Sequence, residues 1–179
     1  MIKEMKKFLK IVPLENELKD LCNIISEKIK ETYLMENKIE YVDINIPDFS
    51  YDKNRKQYNA FLMLSSFSNI FSEYTLFITN KDIYVPGMNF IFGLAWKRLA
   101  IISIARLLPT FYGEKMDYNI FISRVIKEAI HEIGHLLGLS HCPNSKCVMH
   151  FSNSIYDTDY KNEKPCQKCY SILKNKGII

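Results

Sequence analysis

Three of the chain's four histidines fall in one stretch, HEIGHLLGLSHC, which runs from His131 to Cys142. On a helix, residues four apart differ by roughly 40° in rotation and about 6 Å along the axis. His131 and His135 therefore point the same way from successive turns, as two imidazoles must to share one Zn²⁺. Glu132 lies roughly 100° around from His131. There it can act as general base on a metal-held water without being a ligand. A continuing helix would carry His141 about 9 Å beyond His135, too far to share the ion. The chain must turn back, and Gly138 stands where a left-handed residue permits it. Two ligands from a helix and one from a returning loop leave a fourth tetrahedral position open, as catalytic zinc sites do. The bland alternative, histidines that serve only packing or surface, does not account for Gly138 and His141 at this spacing.

Cys142 directly follows the third histidine. Adjacent side chains of an extended loop point to opposite sides, so it belongs to a different set of partners. Cys142 and Cys147 form one short-spaced pair and Cys166 and Cys169 another, a pattern that matches a structural four-cysteine zinc site. Such a site would staple an irregular tail and anchor the loop carrying His141. Two disulfides are the competing reading. Lys146, Lys161, Lys164 and Lys168 lie around the cysteines, either compensating thiolate charge or forming a solvated basic surface. Cys22 sits on the apolar side of ELKDLCNIISEKI and reads as a buried small hydrophobe.

The helix that must carry His131 and His135 starts after an N-cap at Asp117, with Ile120, Ile122, Val125, Ile126, Ala129, Ile130, Ile133 and Leu137 as its apolar face. Upstream, FLKIVPL, KIEYVDINI and YTLFITN read as strands, separated by helices over ENELKDLCNIISEKIKETYL and RKQYNAFLMLSSFSNI. MNFIFGLAW and LAIISIARLL are joined by Lys97 and Arg98 alone, which demands an antiparallel hairpin. Strands alternating with helices favour parallel pairing elsewhere, so the sheet should be mixed. MNFIFGLAW is the outer strand of the hairpin, and its free backbone groups could pair with an extended peptide, through the donor of Phe92 or of Leu94. After Leu139 the chain is irregular until a short final helix at CQKCYSILKNKG. One domain over residues 1–179 is expected, with an N-terminal part (1–138) and a C-terminal part (139–179).

Composition sets outer bounds. The 179 residues are 47% hydrophobic and 25% charged with a net charge of +4, an ordinary globular balance. That charge is too modest and too scattered for a dedicated nucleic-acid binder. The N-terminal lysines are followed by a short apolar stretch, broken by Lys10, with no small-residue cleavage site. No run approaches the roughly 20 residues that span a bilayer. A soluble cytoplasmic monomer, binding neither membrane nor nucleic acid, is the expectation.

HEIGHLLGLSH resembles the extended zinc motif of the metzincin metalloproteases. That resemblance implies a methionine in a tight turn beneath the histidines, and CVMHFSNS supplies Met149. The adjacent Cys142, the late Cys-x-x-Cys, and the segments RKQYNA, DIYVPGMNFIFGLA and IISIARLLPTFYG are similar to one branch, the archaemetzincins (archaelysins). The resemblance covers most of the chain, least distinctively before Arg55. It implies a metzincin-like α/β zincin: a twisted mixed sheet, an active-site helix and a small zinc-stapled C-terminal part. It also implies a zinc-dependent peptidase of aminopeptidase-like or narrow specificity, acting on peptide or protein substrates with Glu132 as general base and two zinc ions per chain, one catalytic and one structural. Two rivals stay open: a non-enzymatic zinc module, and a zinc site blocked by a tail residue such as His150, Tyr156 or Tyr160.

Overall fold

The computed structural model describes residues 8–179; the start of the lysine-rich N-terminal stretch lies outside them. The described chain begins with β1 (Leu9–Pro13) and α1 (Lys19–Tyr33), then β2 (Asn37–Ile39). Next come β3 (Tyr51–Asp52), β4 (Gln57–Asn59), α2 (Ala60–Phe67), β5 (Tyr74–Thr79) and β6 (Ile83–Tyr84). The hairpin is β7 (Gly93–Trp96) and β8 (Leu99–Ser103), and α3 (Tyr118–Leu136) is the long helix. The tail holds α4 (Ile155–Tyr160) and α5 (Gln167–Asn175).

The main sheet has the order β2–β1–β5–β8–β7, parallel except for β7, which pairs antiparallel at the edge. It is the mixed sheet that the alternation of elements and the two-residue turn require. Successive side chains leave a strand on opposite faces. Leu9, Ile11, Leu76, Ile78, Ala100 and Ile102 share one core with α1 and α3, while Val12, Phe77, Leu99 and Ile101 share another with α2. The sheet is thus covered on both faces, as parallel strands generally are. Leu139, Val148, Met149, Ile155 and Leu173 belong to the same core as α1 and α3, so the tail packs on the layer that carries the active-site helix.

Several elements differ from the sequence reading. The strand expected over KIEYVDINI pairs only at Asn37–Ile39. Its ladder ends with Glu40 N–H donating to the Ile11 carbonyl, near Pro13, which has no N–H to extend it. Val42, Ile44 and Ile46 still turn inward against the α2 core, which explains the alternation. The second helix is shorter than expected, because Asn59 caps it by accepting from the N–H groups of Phe61 and Leu62. The residues before it join a second small sheet, β3–β4–β6, that the sequence reading lacks. On α3 the first turn presents Phe121 to the core, whereas Ile120 is exposed and Ile122 half-buried. α4 was not expected either, although Ser154 and Asp157 make a capping box legible as Ser-x-x-Asp. Among the described residues no helix is long and apolar enough to cross a membrane.

Candidate metal centre and active site

α3 is capped by the Asp117 side chain, which accepts from the N–H groups of Asn119 and Ile120. It stops at Gly138, whose φ of 87° is the left-handed conformation that ends helices. Gly138 N–H donates to the His135 carbonyl and Leu139 N–H to the Gly134 carbonyl, both at 2.9 Å, closing the helix in a Schellman motif. This reversal brings His141 back to the helix. The ring centroids of His131, His135 and His141 lie 4.6 to 5.3 Å apart.

Each helical imidazole is oriented from behind. His131 Nδ1 donates to the Val148 carbonyl at 2.7 Å and His135 Nδ1 to the Leu139 carbonyl at 2.8 Å. A carbonyl can only accept, so Nδ1 carries the proton in both rings and Nε2 presents a lone pair. The two Nε2 atoms then face each other at 3.0 Å. Two lone pairs at that distance repel, and a cation between them removes the conflict. One ring nitrogen from each of the three histidines lies within 4.8 Å of the others. Burial, reinforced by the charge of Lys161 and by neighbouring imidazoles, lowers the pKa of His131 well below the ordinary histidine value. Burial lowers His135 and His141 as well. All three are kept in the neutral form that metals bind.

Glu132 is buried beside them and lines the same cleft. A Cβ at Gly93 would stand 2.6 Å from Glu132 Oε1, so β7 can lie against the carboxylate only because residue 93 has no side chain. Burial, and then the charge of Glu128, raises the Glu132 pKa well above the carboxylate range, with Lys161 opposing. Met149 is fully buried against α3 at Gly134, between His131 and His135, where a Cβ would collide with its Sδ. The Met149 carbonyl accepts from Cys142 N–H at 2.9 Å. His131 is therefore oriented, and Cys142 held, by consecutive residues of one turn.

The four clustered cysteines come together as a second group, with their sulfurs within 4.8 Å of one another. Cys142 and Cys166 sulfurs are 3.8 Å apart, as are those of Cys147 and Cys169. Tetrahedral Zn–S bonds of about 2.3 Å place sulfurs about 3.8 Å apart, whereas a disulfide needs about 2.05 Å. All five cysteines are free, including Cys22, whose thiol burial pushes up to about 12. Burial also raises Cys166, but the Cys169 N–H and the neighbouring thiols outweigh it and bring Cys166 down to about 7. Burial drives Cys169 strongly upward. Four thiolates in this space would require a cation, and the donor set suits zinc.

Lys161 is buried and paired with Glu128 in the histidine cleft. Sequence reasoning missed this pair, and it missed Gly93 and Val148. Only Gly134, inside the motif itself, carried a local signal. Of the three suspected blocking residues, His150 Nδ1 donates to the Cys142 carbonyl, while Tyr156 and Tyr160 are exposed; none lines the cleft. The cleft has a volume of about 620 Å³ and runs between β7 and the histidines.

β7 presents its free edge to this cleft. Ser103 N–H donates to the Phe92 carbonyl, which fixes the phase of the hairpin. With Leu94 opposite Ile101 and Trp96 opposite Leu99, these residues are the hydrogen-bonded positions. The N–H groups of Gly93 and Ala95 point away from β8. The sequence reading had placed the outward donor at Phe92 or Leu94, one residue out of phase.

Comparison with known proteins agrees with this architecture. Residues 3–175 match the model of peptidase family M54. The chain is 40% identical to the archaemetzincin of Methanocaldococcus jannaschii, over 94% of this chain and 93% of that one. It is likewise 40% identical to the archaemetzincin of Pyrococcus furiosus, over 96% and 95% of the two chains. The crystal structure of archaemetzincin from Methanopyrus kandleri superposes with a TM-score of 0.85 at 34% identity, covering 98% of each chain. That of Archaeoglobus fulgidus archaemetzincin, complexed with malonate, gives 0.76 at 35% identity over 92% of this chain and 98% of that one. The chain belongs to peptidase family M54, the archaemetzincins, and is a zinc metallopeptidase with a mixed α/β fold.

Proposed function

We propose that His131, His135 and His141 hold a catalytic zinc, and that Glu132 is the general base of a peptide hydrolase. The observation that carries this reading is the pair of Nε2 atoms facing each other at 3.0 Å in the cleft that Glu132 lines. Zinc, when bound, supplies Lewis acidity that acidifies a water and polarises a carbonyl. The chain's own residues do the rest. The outward N–H groups of Gly93 and Ala95 align an extended peptide along β7. Glu132 takes a proton from the attacking water and delivers it to the leaving amine. Burial beside Glu128 raises the Glu132 pKa, which makes the carboxylate a stronger base toward that water.

Cys142, Cys147, Cys166 and Cys169 hold a second, structural zinc in this reading, giving two ions per chain, and Met149 supports the histidines from below. Residues 1–179 then work as one catalytic domain, in which 139–179 supplies the third histidine and its anchor. Aminopeptidase-like action is the finer specificity that the archaemetzincin resemblance implies.

The test is incubation of the zinc-loaded protein with a diverse peptide library, half with free and half with acetylated N-termini, followed by sequencing of the products. Cleavage should fall at least about 100-fold in Glu132→Gln, the range expected for loss of a general base, with zinc content unchanged. Equal activity in Glu132→Gln would place catalysis elsewhere. Cleavage confined to free N-termini supports the aminopeptidase form, and cleavage of both sets removes it.

A further inference from the structure

Beside the proposed general base, the cleft has a charged floor. Glu128 precedes Glu132 by one turn of α3 on the same side, and Lys161 directly follows α4. Their side chains are 4% and 1% exposed, and the ammonium stands 3.1 Å from Glu128 Oε1. Both residues line the cleft with Glu132. Among the described residues, Lys161 Nζ and Thr158 Oγ1, the latter at 3.3 Å, donate to Glu128, and both fall on that one oxygen. The other acceptor for the ammonium is the His150 carbonyl, at a long 3.4 Å. Ser152 Oγ, lining the same cleft, is buried with no hydrogen-bond partner among the described residues.

A buried ion pair rarely stabilises a fold more than apolar residues of the same volume would. Its place in a ligand cleft gives it a different value. A substrate side chain that enters excludes water from the floor, and an aliphatic one leaves Ser152 Oγ and the remaining hydrogen-bonding capacity of Glu128 and Lys161 unmet. A charged one carries an uncompensated charge into a floor whose own charges cancel. A primary carboxamide avoids both costs: its carbonyl accepts from Lys161, and its NH₂ donates to Glu128.

We propose that Glu128 and Lys161, in the cleft that the unpartnered Ser152 hydroxyl also lines, form a specificity subsite that selects a glutamine or asparagine side chain next to the scissile bond, an inference that rests on the peptidase reading of this cleft. The chain's one tryptophan, Trp96, lines the cleft, so its fluorescence reports occupancy without turnover. Zinc-loaded protein carrying Glu132→Gln is titrated with capped alanine pentapeptides in which a single Gln or a single Leu is moved through each position. At one position the Gln peptide should bind at least about fivefold more tightly than its Leu counterpart, the effect of about one net hydrogen bond. Glu128→Leu combined with Lys161→Met makes the floor apolar and should reverse that preference. Glu128→Gln leaves Lys161 uncompensated and should shift the preference from Gln to Glu, which keeps the test informative if the double variant fails to fold. Leu binding as well as Gln at every position overturns the subsite, as does an unshifted profile in folded Glu128→Gln. Gln-selective binding while the parent protein cleaves neither these peptides nor their counterparts with free N-termini would instead sink the peptidase reading and leave the subsite standing.

Discussion

His131 and His135 each spend Nδ1 on a backbone carbonyl, and burial keeps both from protonating at the usual point. Protons compete with a metal only when they bind the same nitrogen. A lowered pKa therefore extends metal binding toward acid. Zinc held by the histidines should persist as pH falls through 6.5, the ordinary histidine value, and leave only below it. Dialysis across a pH series with elemental analysis measures this, and release centred at or above that value would refute it. The metal-free protein follows the same sign: the unfolded chain binds protons at these histidines first. The stability they contribute is complete above the unfolded value and is lost as pH falls toward the folded ones.

At the scale of elements, β7 joins recognition to chemistry. Proline at position 95 deletes an outward donor and leaves the ladder to β8 intact, as edge strands tolerate. Ala95→Pro should lower kcat/KM about tenfold, the value of about one well-aligned hydrogen bond, with zinc content and melting temperature little changed. Proline at Leu94 should instead unfold the hairpin edge, and equal effects at both positions would disprove the phase. α3 and the methionine turn meet at Gly134, where a methyl group has no room beside Met149. Gly134→Ala should cost about 1–3 kcal/mol, typical of overpacking, read as a lower midpoint in denaturant. What the sequence made legible here was local. The turns of α3, the stop at Gly138 and the hairpin at Lys97–Arg98 each depend on residues within a few positions of one another. The ladder of β2, the β3–β4–β6 sheet and the Glu128–Lys161 pair depend on partners far along the chain. Alternation in Val42, Ile44 and Ile46 reported an inward-facing side, which is necessary for a strand without being sufficient.

Over the whole molecule, the two proposed metal centres interleave. His141 and Cys142 are neighbours, and Val148, which orients His131, directly follows Cys147. The histidine site opens to the cleft, while three of the four cysteines are buried. Elemental analysis should give about two zinc per chain, and a chelator should strip one ion well before unfolding starts while the second leaves with the tail. One zinc together with two disulfides in a metal-replete preparation would refute this.

The order of these ligands along the chain also has a meaning in time. A ribosome makes α3 and its two histidines first, then His141 and Cys142, and Cys166 and Cys169 only later. Until that last pair emerges, the loop that brings the third histidine to the helix has only its own turns and hydrogen bonds to hold it. On the proposed assignment, a product cut short before Cys166 lacks half the ligands of the second metal centre and should be a poor hydrolase, harmless to its neighbours.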